Sequence, residues 1–379
     1  MVDVHGTCDA RFEPVRGVLA EQLASGNETG ASIVVDVDGR TVVDLWGGWR
    51  DPGHGRPWAE DTITNVWSTT KTVTNLAALM LADRGLLDPY SPVARYWPEF
   101  AENGKEQIEV RHILSHTSGV SGWDGPFTTE DMYDREGATS RLAAQAPWWE
   151  PGTASGYHAQ NQGHLVGELV RRVTGQPLTT FVAEEIAGPL GADFQIGAAE
   201  ADWDRIAPIT PPPPLPFDLA SVDPGSPVYK TFTGPVARAE AANTPAWRHA
   251  ELGALNGHGN ARSVARILKA LALDGVVDGV RLLSPDTIAL IFDEQSHGPD
   301  LVLGVPLRFG IGYALPETET VPYVPQGRAC YWGGWGGSVI LMDLDARTTI
   351  SYMMNKMAPG IIGSDRSEAY VRAIRDCLG

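Results

Sequence analysis

Two stretches rich in β-branched and apolar residues stand near opposite ends of the chain, with a helical texture between them. Residues 31–48, ASIVVDVDGRTVVDLWGG, read as two strands around Asp38-Gly39. An Asp-Gly pair between such runs is a strong hairpin signal, because the tight turn needs positive φ at both positions. Residues 331–357, YWGGWGGSVILMDLDARTTISYMMNKM, read as two more apolar strands around a polar turn at Asp343 to Arg347. One sheet uses all these strands only if the two ends of the chain meet. The economical architecture is therefore a sheet built from both termini, with a helical domain inserted.

Helical spacing recurs between and beyond the strands. Phe12, Val15, Val18, Leu19 and Leu23 follow it. Thr62 to Trp67 is β-rich. From Ser68 the texture turns helical, with Val73, Leu76, Ala77, Met80 and Leu81 on one face and Gly85 as a stop. From about Asp88, Pro, Trp and Gly break the chain into short helical pieces such as VRHILSHTSG and NQGHLVGELVRRVTG. The second piece ends at Gly175-Gln176-Pro177. Residues 208–235, with Pro211 to Pro214 in a row, read as a long, partly extended loop. Such a loop is a spacer, or a wall or flap over a pocket. Residues 261–275, ARSVARILKALALDG, read as an amphipathic helix, and Ser367 to Cys377 as a closing helix. On this reading residues 1–87 and 250–379 form the sheet domain. Residues 88–249, with the Pro-rich loop, form the inserted one.

Composition excludes several classes. Of 379 residues, 43% are hydrophobic and 20% charged, which rules out a wholly disordered chain, a collagen and a coiled coil. The net charge of −18 repels phosphate backbones and anionic lipid, so neither nucleic acid nor membrane is an expected partner. Cys8, Cys330 and Cys377 give no disulfide framework. The opening MVDVHGTCDARFEPVR lacks a basic region followed by an apolar run. No apolar stretch is long enough for a membrane span. The expectation is a cytoplasmic protein.

Several motifs carry nothing. His112 and His116 would share a helix face, but HILSH lacks the glutamate of a zinc protease, so both read as structural. GHGNAR lacks the last glycine of a dinucleotide fingerprint, and no phosphate-binding GxxxxGK[ST] occurs. Asn27-Glu28-Thr29 matches a glycosylation acceptor, without a secretory context. There is no GxSxG elbow. Neither metal nor cofactor is expected.

VWSTTKTVTN is different. It places Ser68 and Lys71 three residues apart at a helix start, and i and i+3 share a helix face. A serine there also serves as a plain N-cap. A serine hydroxyl becomes a nucleophile when a base lies within hydrogen-bond reach. Lysine becomes that base when burial or a neighbouring cation lowers its pKa. The helix N-terminus adds partial positive charge and free N–H groups for a developing oxyanion.

VWSTTKTVTN resembles the nucleophile motif of serine β-lactamases, DD-peptidases and their esterase relatives. Two further elements come in the family's order. SGYHAQNQGHLVGELVRRVTG is similar to the second-motif segment of class C β-lactamases and family VIII carboxylesterases, and Tyr157 matches its tyrosine. YWGGWGG resembles the third motif, and Trp332-Gly333-Gly334 matches the Trp-Gly-Gly that often stands there in these esterases. ILSHTSGVSG resembles the family's Leu-Leu-Ser-His-Thr-Ser-Gly stretch. The resemblance spans roughly residues 10–375. It implies a β-lactamase/transpeptidase-like α/β (α+β) fold: an antiparallel sheet flanked by helices, plus the inserted domain. Within the superfamily it is closest to family VIII carboxylesterases.

Two positions depart from the lactamase pattern. Tyr157-His158-Ala159 stands where class C lactamases read Tyr-x-Asn, although Asn161 lies two residues on. Trp332 stands where lactamases have lysine. An indole offers one N–H donor and an apolar face, not a cation for a substrate carboxylate. Both departures point from anionic β-lactams toward neutral acyl esters.

The resemblance thus implies a serine carboxylesterase for short-chain esters, its partner a small-molecule ester. Ser68 attacks the carbonyl, and Lys71 and Tyr157 share the proton. Tyr157 passes it to the leaving alkoxide and later activates water. The N–H groups of Ser68 and Trp335 form the oxyanion hole, and Gly333 and Gly334 let the backbone approach the substrate. Trp332 is expected to line the site, and His158 to be packed or solvated. Coupled titration leaves open which of Lys71 and Tyr157 is the resting base. A β-lactamase, a DD-peptidase or amide hydrolase, an acyltransferase and a non-catalytic binding protein are the alternatives.

Overall fold

The computed structural model describes residues 3–213 and 221–379. Pro214, the last of the four consecutive prolines, lies outside them with residues 215–220.

Among the described residues nine strands form one sheet: β1 (Val4–Cys8), β2 (Gly30–Val37), β3 (Arg40–Gly48), β4 (Ser296–Pro299), β5 (Pro306–Phe309), β6 (Ala314–Leu315), β7 (Ala329–Gly333), β8 (Val339–Asp343) and β9 (Thr348–Met354). Their order is β1-β3-β2-β9-β8-β7-β6-β5-β4, antiparallel throughout. The two chain ends meet at β2 and β9, where Thr348 pairs with Val37 and Met354 with Ala31. The turn between β2 and β3 is Asp38 (φ 50°) and Gly39 (φ 83°), the two positive φ angles that the Asp-Gly pair demands.

Five helices frame the sheet and the nucleophile turn: α1 (Glu13–Ala24), α2 (Thr70–Asp83), α3 (Gln162–Thr174), α4 (Ala261–Ala272) and α5 (Asp365–Leu378). Helix α1 packs on α5 and on β1 and β3, while α4 packs on β2, β8 and β9. β9 is buried along its whole length, its polar Thr348, Thr349 and Ser351 included. Lys269 of α4 reaches Asp36 of β2 at 3.0 Å in this interior.

Helix α2 differs from its expected amphipathic form: Thr70 through Leu81 are all buried, and α3 packs against it. Its polar residues are tolerated because each finds a carbonyl. Thr70 donates to Trp67 O, Thr72 to Thr69 O, Thr74 to Gly253 O and Asn75 to Gly312 O. A small sheet beside it runs Gln195–Ile196, Gly257–Gly259, Ile63–Asn65, Ile206–Ala207. It joins the middle of the chain to the segments on either side.

Two local expectations are corrected. Residues 208–235 are not loop throughout, since Pro227–Thr233 is a helix capped by Ser226, whose hydroxyl accepts from the Tyr229 N–H. A Ser-Pro start is itself a helix signal, which the surrounding prolines masked. His112 and His116 share no helix face: that helix is Val110–Leu114, and His116 leaves it with φ 63°. No helix among the described residues is long and apolar enough to cross a membrane.

Candidate active site

The site begins with a strained residue. Trp67 holds φ 52°, a costly conformation for a bulky side chain. Its ring is locked between Trp247 and Trp335, with centroids 5.6 and 5.2 Å away. The bend delivers Ser68 to the turn before α2. The Ser68 hydroxyl does not cap the helix; it faces Lys71 Nζ at 3.0 Å.

Lys71 is buried and, among the described residues, has no carboxylate partner. Its Nζ lies 2.7 Å from Ala159 O and 2.9 Å from Ala254 O. Burial drives its pKa well below the ordinary lysine value. A neutral amine has two N–H groups and one lone pair. In that form the two carbonyls would take the N–H groups and leave the lone pair for the Ser68 O–H. Gly163 of α3 makes this possible, because a Cβ there would lie 2.2 Å from Ala254 N.

Tyr157 closes the trio. Its ring lies beneath Lys71 Nζ, 4.9 Å from the centroid. Its phenol oxygen accepts from Trp332 Nε1 at 3.1 Å and is hydrogen-bonded to the Ser68 hydroxyl. Burial pushes the phenol above its ordinary pKa, against the pull of those two bonds. The backbone around it is pinned at three consecutive residues. The Gly156 N–H donates to His116 O, the Tyr157 N–H to Asp300 Oδ1, and the His158 N–H to His116 Nδ1. Burial drives His116 well below its ordinary pKa, so Nδ1 stays an acceptor. His116 and Asp300 are support residues that sequence reasoning missed; the only signal was the histidine in ILSHTSG. His158 is packed, with Nδ1 on Gly156 O at 2.7 Å and Nε2 on the Ser118 hydroxyl at 2.6 Å.

The end of β7 completes the arrangement. Gly334 donates to Ser338 O, and the Ser338 hydroxyl donates to Val66 O at 3.1 Å, beside the nucleophile turn. A Cβ at Gly334 would lie 2.4 Å from Ser338 Oγ and 2.5 Å from Val66 O, so only glycine fits. Among the described residues, neither the Ser68 N–H nor the Trp335 N–H donates to a protein acceptor. Two donors thus remain for a ligand.

A cavity of about 110 Å³ opens over Ser68, walled by Trp67, Trp247, Trp335, Leu255, Met132 and Phe232, with Arg238 also on its lining. Phe232 belongs to the short helix in the Pro-rich segment, and Gln160 holds that segment down through Pro235 O at 2.7 Å. The segment is a wall. Trp332, Gly333 and Gly334 do not line the cavity; Trp332 stands behind Tyr157. Asn161 does not line it either, and spends its amide on Val120 O. No group of three or more His, Cys, Asp or Glu among the described residues is arranged to hold a metal.

Residues 15–372 match the Beta-lactamase family. Esterase/beta-lactamase LipL of Mycobacterium tuberculosis (strain ATCC 25618 / H37Rv) is 33% identical over 375 residues, covering 96% of this chain and 86% of LipL. The crystal structure of a family VIII carboxylesterase matches with a TM-score of 0.92 at 38% identity, covering 99% of this chain and 100% of that one. A penicillin-binding protein homolog from Caulobacter crescentus gives a TM-score of 0.91 at 36% identity, again covering 99% and 100%. The nine-stranded antiparallel sheet with its flanking helices is the β-lactamase/transpeptidase fold, and the chain belongs to the beta-lactamase family.

Proposed function

We propose that this protein is a serine carboxylesterase that hydrolyses short-chain acyl esters through an acyl-enzyme on Ser68. One observation carries the reading: Ser68 Oγ lies 3.0 Å from the buried Lys71 Nζ, on the wall of an apolar cavity. The neutral Lys71 amine takes the Ser68 proton as the hydroxyl attacks the ester carbonyl. The N–H groups of Ser68 and Trp335 receive the oxyanion, each worth about 2.7–4 kcal/mol. Tyr157, a neutral phenol, protonates the leaving alkoxide, its phenolate then draws a proton from the deacylating water, and Lys71 returns its proton to Ser68 Oγ as the acid leaves.

Three further features support an ester over a β-lactam. Trp332 occupies the third-motif position with no cation. Asn161 is not on the cavity lining, and its Nδ2 donates to Val120 O. The family VIII structure is named as a carboxylesterase. The cavity is smaller than the roughly 150 Å³ that admits benzene, which favours acyl chains of a few carbons.

The test is hydrolysis of p-nitrophenyl acetate, butyrate and octanoate against nitrocefin, with wild type and Ser68→Ala side by side. Acetate and butyrate should turn over fastest, nitrocefin barely, and Ser68→Ala should lose all of it. Nitrocefin as the better substrate would replace the esterase with a lactamase. Activity that survives Ser68→Ala would remove the serine mechanism.

A further inference from the structure

Beneath the third-motif turn lies a buried ion pair that the catalytic trio does not use. Arg366 of α5 spends its guanidinium on three separate segments. Its Nη1 donates to Glu28 Oε2 at 2.5 Å and to Asn27 O at 2.9 Å. Its Nη2 donates to Lys356 O at 2.7 Å and to Gly336 O at 3.1 Å. The Glu28 side chain is fully buried, and its other oxygen accepts from the Tyr352 and Tyr370 hydroxyls. A buried pair of this kind adds little net stability over an apolar replacement, so stability alone is a weak account of it.

Its location suggests another role. Gly336 directly follows Trp335, and three of the four residues 334–337 are glycines. Such a turn has large intrinsic freedom. Gly336 is held at φ 92°, its N–H on Gly360 O and its carbonyl shared by the Ala358 N–H and Arg366. Arg366 is the one side chain with a hydrogen bond to this glycine among the described residues. The planar fork holds Glu28 and Asn27 with one nitrogen and Gly336 and Lys356 with the other, four acceptors that the three donors of one ammonium cannot hold.

We infer that Arg366, held by Glu28, is a positioning residue for the oxyanion turn, fixing Gly336 so that the Trp335 N–H stays aimed at the carbonyl oxygen bound at Ser68. The inference rests on the proposed acyl-serine mechanism. It asks nothing of Arg366 toward the substrate itself.

Arg366→Ala would strand a carboxylate in the core, so the test uses the double variant Glu28→Gln/Arg366→Met. Glu28→Gln alone is the control, since it leaves the guanidinium on Gly336 and Lys356. Each is measured for Tm, for the rate of Ser68 labelling by a fluorophosphonate probe, and for kcat and KM on p-nitrophenyl butyrate. One oxyanion donor is worth about 10²–10³ in rate, and a misaimed one should cost part of that. The double variant should therefore label and turn over about 10- to 100-fold more slowly, with KM nearly unchanged and Glu28→Gln close to wild type. Wild-type labelling and kcat in the double variant overturn the inference. If the double variant does not fold, Arg366→Lys, which keeps the charge and loses the fork, takes its place: slowed labelling supports the inference, and wild-type labelling overturns it. A wild-type protein that the probe does not label at Ser68 overturns the acyl-serine mechanism, and this inference with it. Labelling without ester turnover overturns the esterase alone, and the labelling rates still decide the inference.

Discussion

Chemistry at Ser68 depends on which neighbour is neutral at rest. Burial lowers the Lys71 pKa well below the lysine value and raises that of Tyr157, which favours the free amine and the protonated phenol. That sets the sign of the pH dependence. Activity should fall on the acid side, as Lys71 gains a proton, and hold through neutral pH. Lys71→Arg keeps the charge and cannot deprotonate, so kcat should drop by about 10²–10⁴ at every pH from 6 to 9. Near-wild-type kcat in that variant would remove Lys71 as the base. Trp332→Phe deletes the N–H that reaches the Tyr157 oxygen and keeps the ring. Losing one such bond, worth about 0.5–1.5 kcal/mol, should cost about 2- to 10-fold in kcat. Ser68, Lys71 and Tyr157 were legible because each sits in a motif of fixed spacing. The carbonyls of Ala159 and Ala254, the oxygens of Asp300 and the ring of His116 were not. Backbone acceptors have no side-chain signature, and residues 116, 157 and 300 are neighbours only in the folded chain.

Among the elements, α3 carries a test of how tightly the site is built. An interior Gly→Ala change ordinarily gains up to about 1 kcal/mol in a helix. At Gly163 the sign should reverse, because the new Cβ would meet the backbone of residues 253 and 254. Gly163→Ala should lower Tm by several degrees and reduce kcat, as Ala254 O is pushed from Lys71. A thermal melt with unchanged Tm would contradict this. The hairpin at Asp38-Gly39, the end of α3 at Gly175 and the helix α4 follow the sequence pattern closely. Strands β4 to β6 do not. SHGP has no apolar alternation and PLRF alternates over too few residues to read as a strand, and both exist as strands because each pairs with the next. The all-round burial of α2 was equally hidden, since threonines satisfied by backbone carbonyls look like a solvent face in sequence.

Across the whole molecule, the fold depends on the two chain ends meeting at β2 and β9. Lys269 and Asp36 bridge that seam to α4, with side-chain exposures of 8% and 3%. Lys269→Ala leaves the Asp36 carboxylate buried, a loss of about 3–5 kcal/mol. Denaturant unfolding should show it, while kcat per folded molecule stays at the wild-type value. An unchanged unfolding midpoint would show that the pair does not tie the seam. The sheet's origin in both ends was readable from the apolar strands alone. For the Pro-rich segment the sequence left spacer and wall both open, and Phe232 on the short helix Pro227–Thr233 decides for the wall.

The central claim is a covalent acyl group on one hydroxyl. Protein quenched with acid during turnover of p-nitrophenyl butyrate and weighed intact tests it directly. The account predicts a species heavier by one butyryl group, with the modification on the peptide that carries Ser68 and absent from Ser68→Ala. Rapid turnover with the butyryl group on another residue would contradict it.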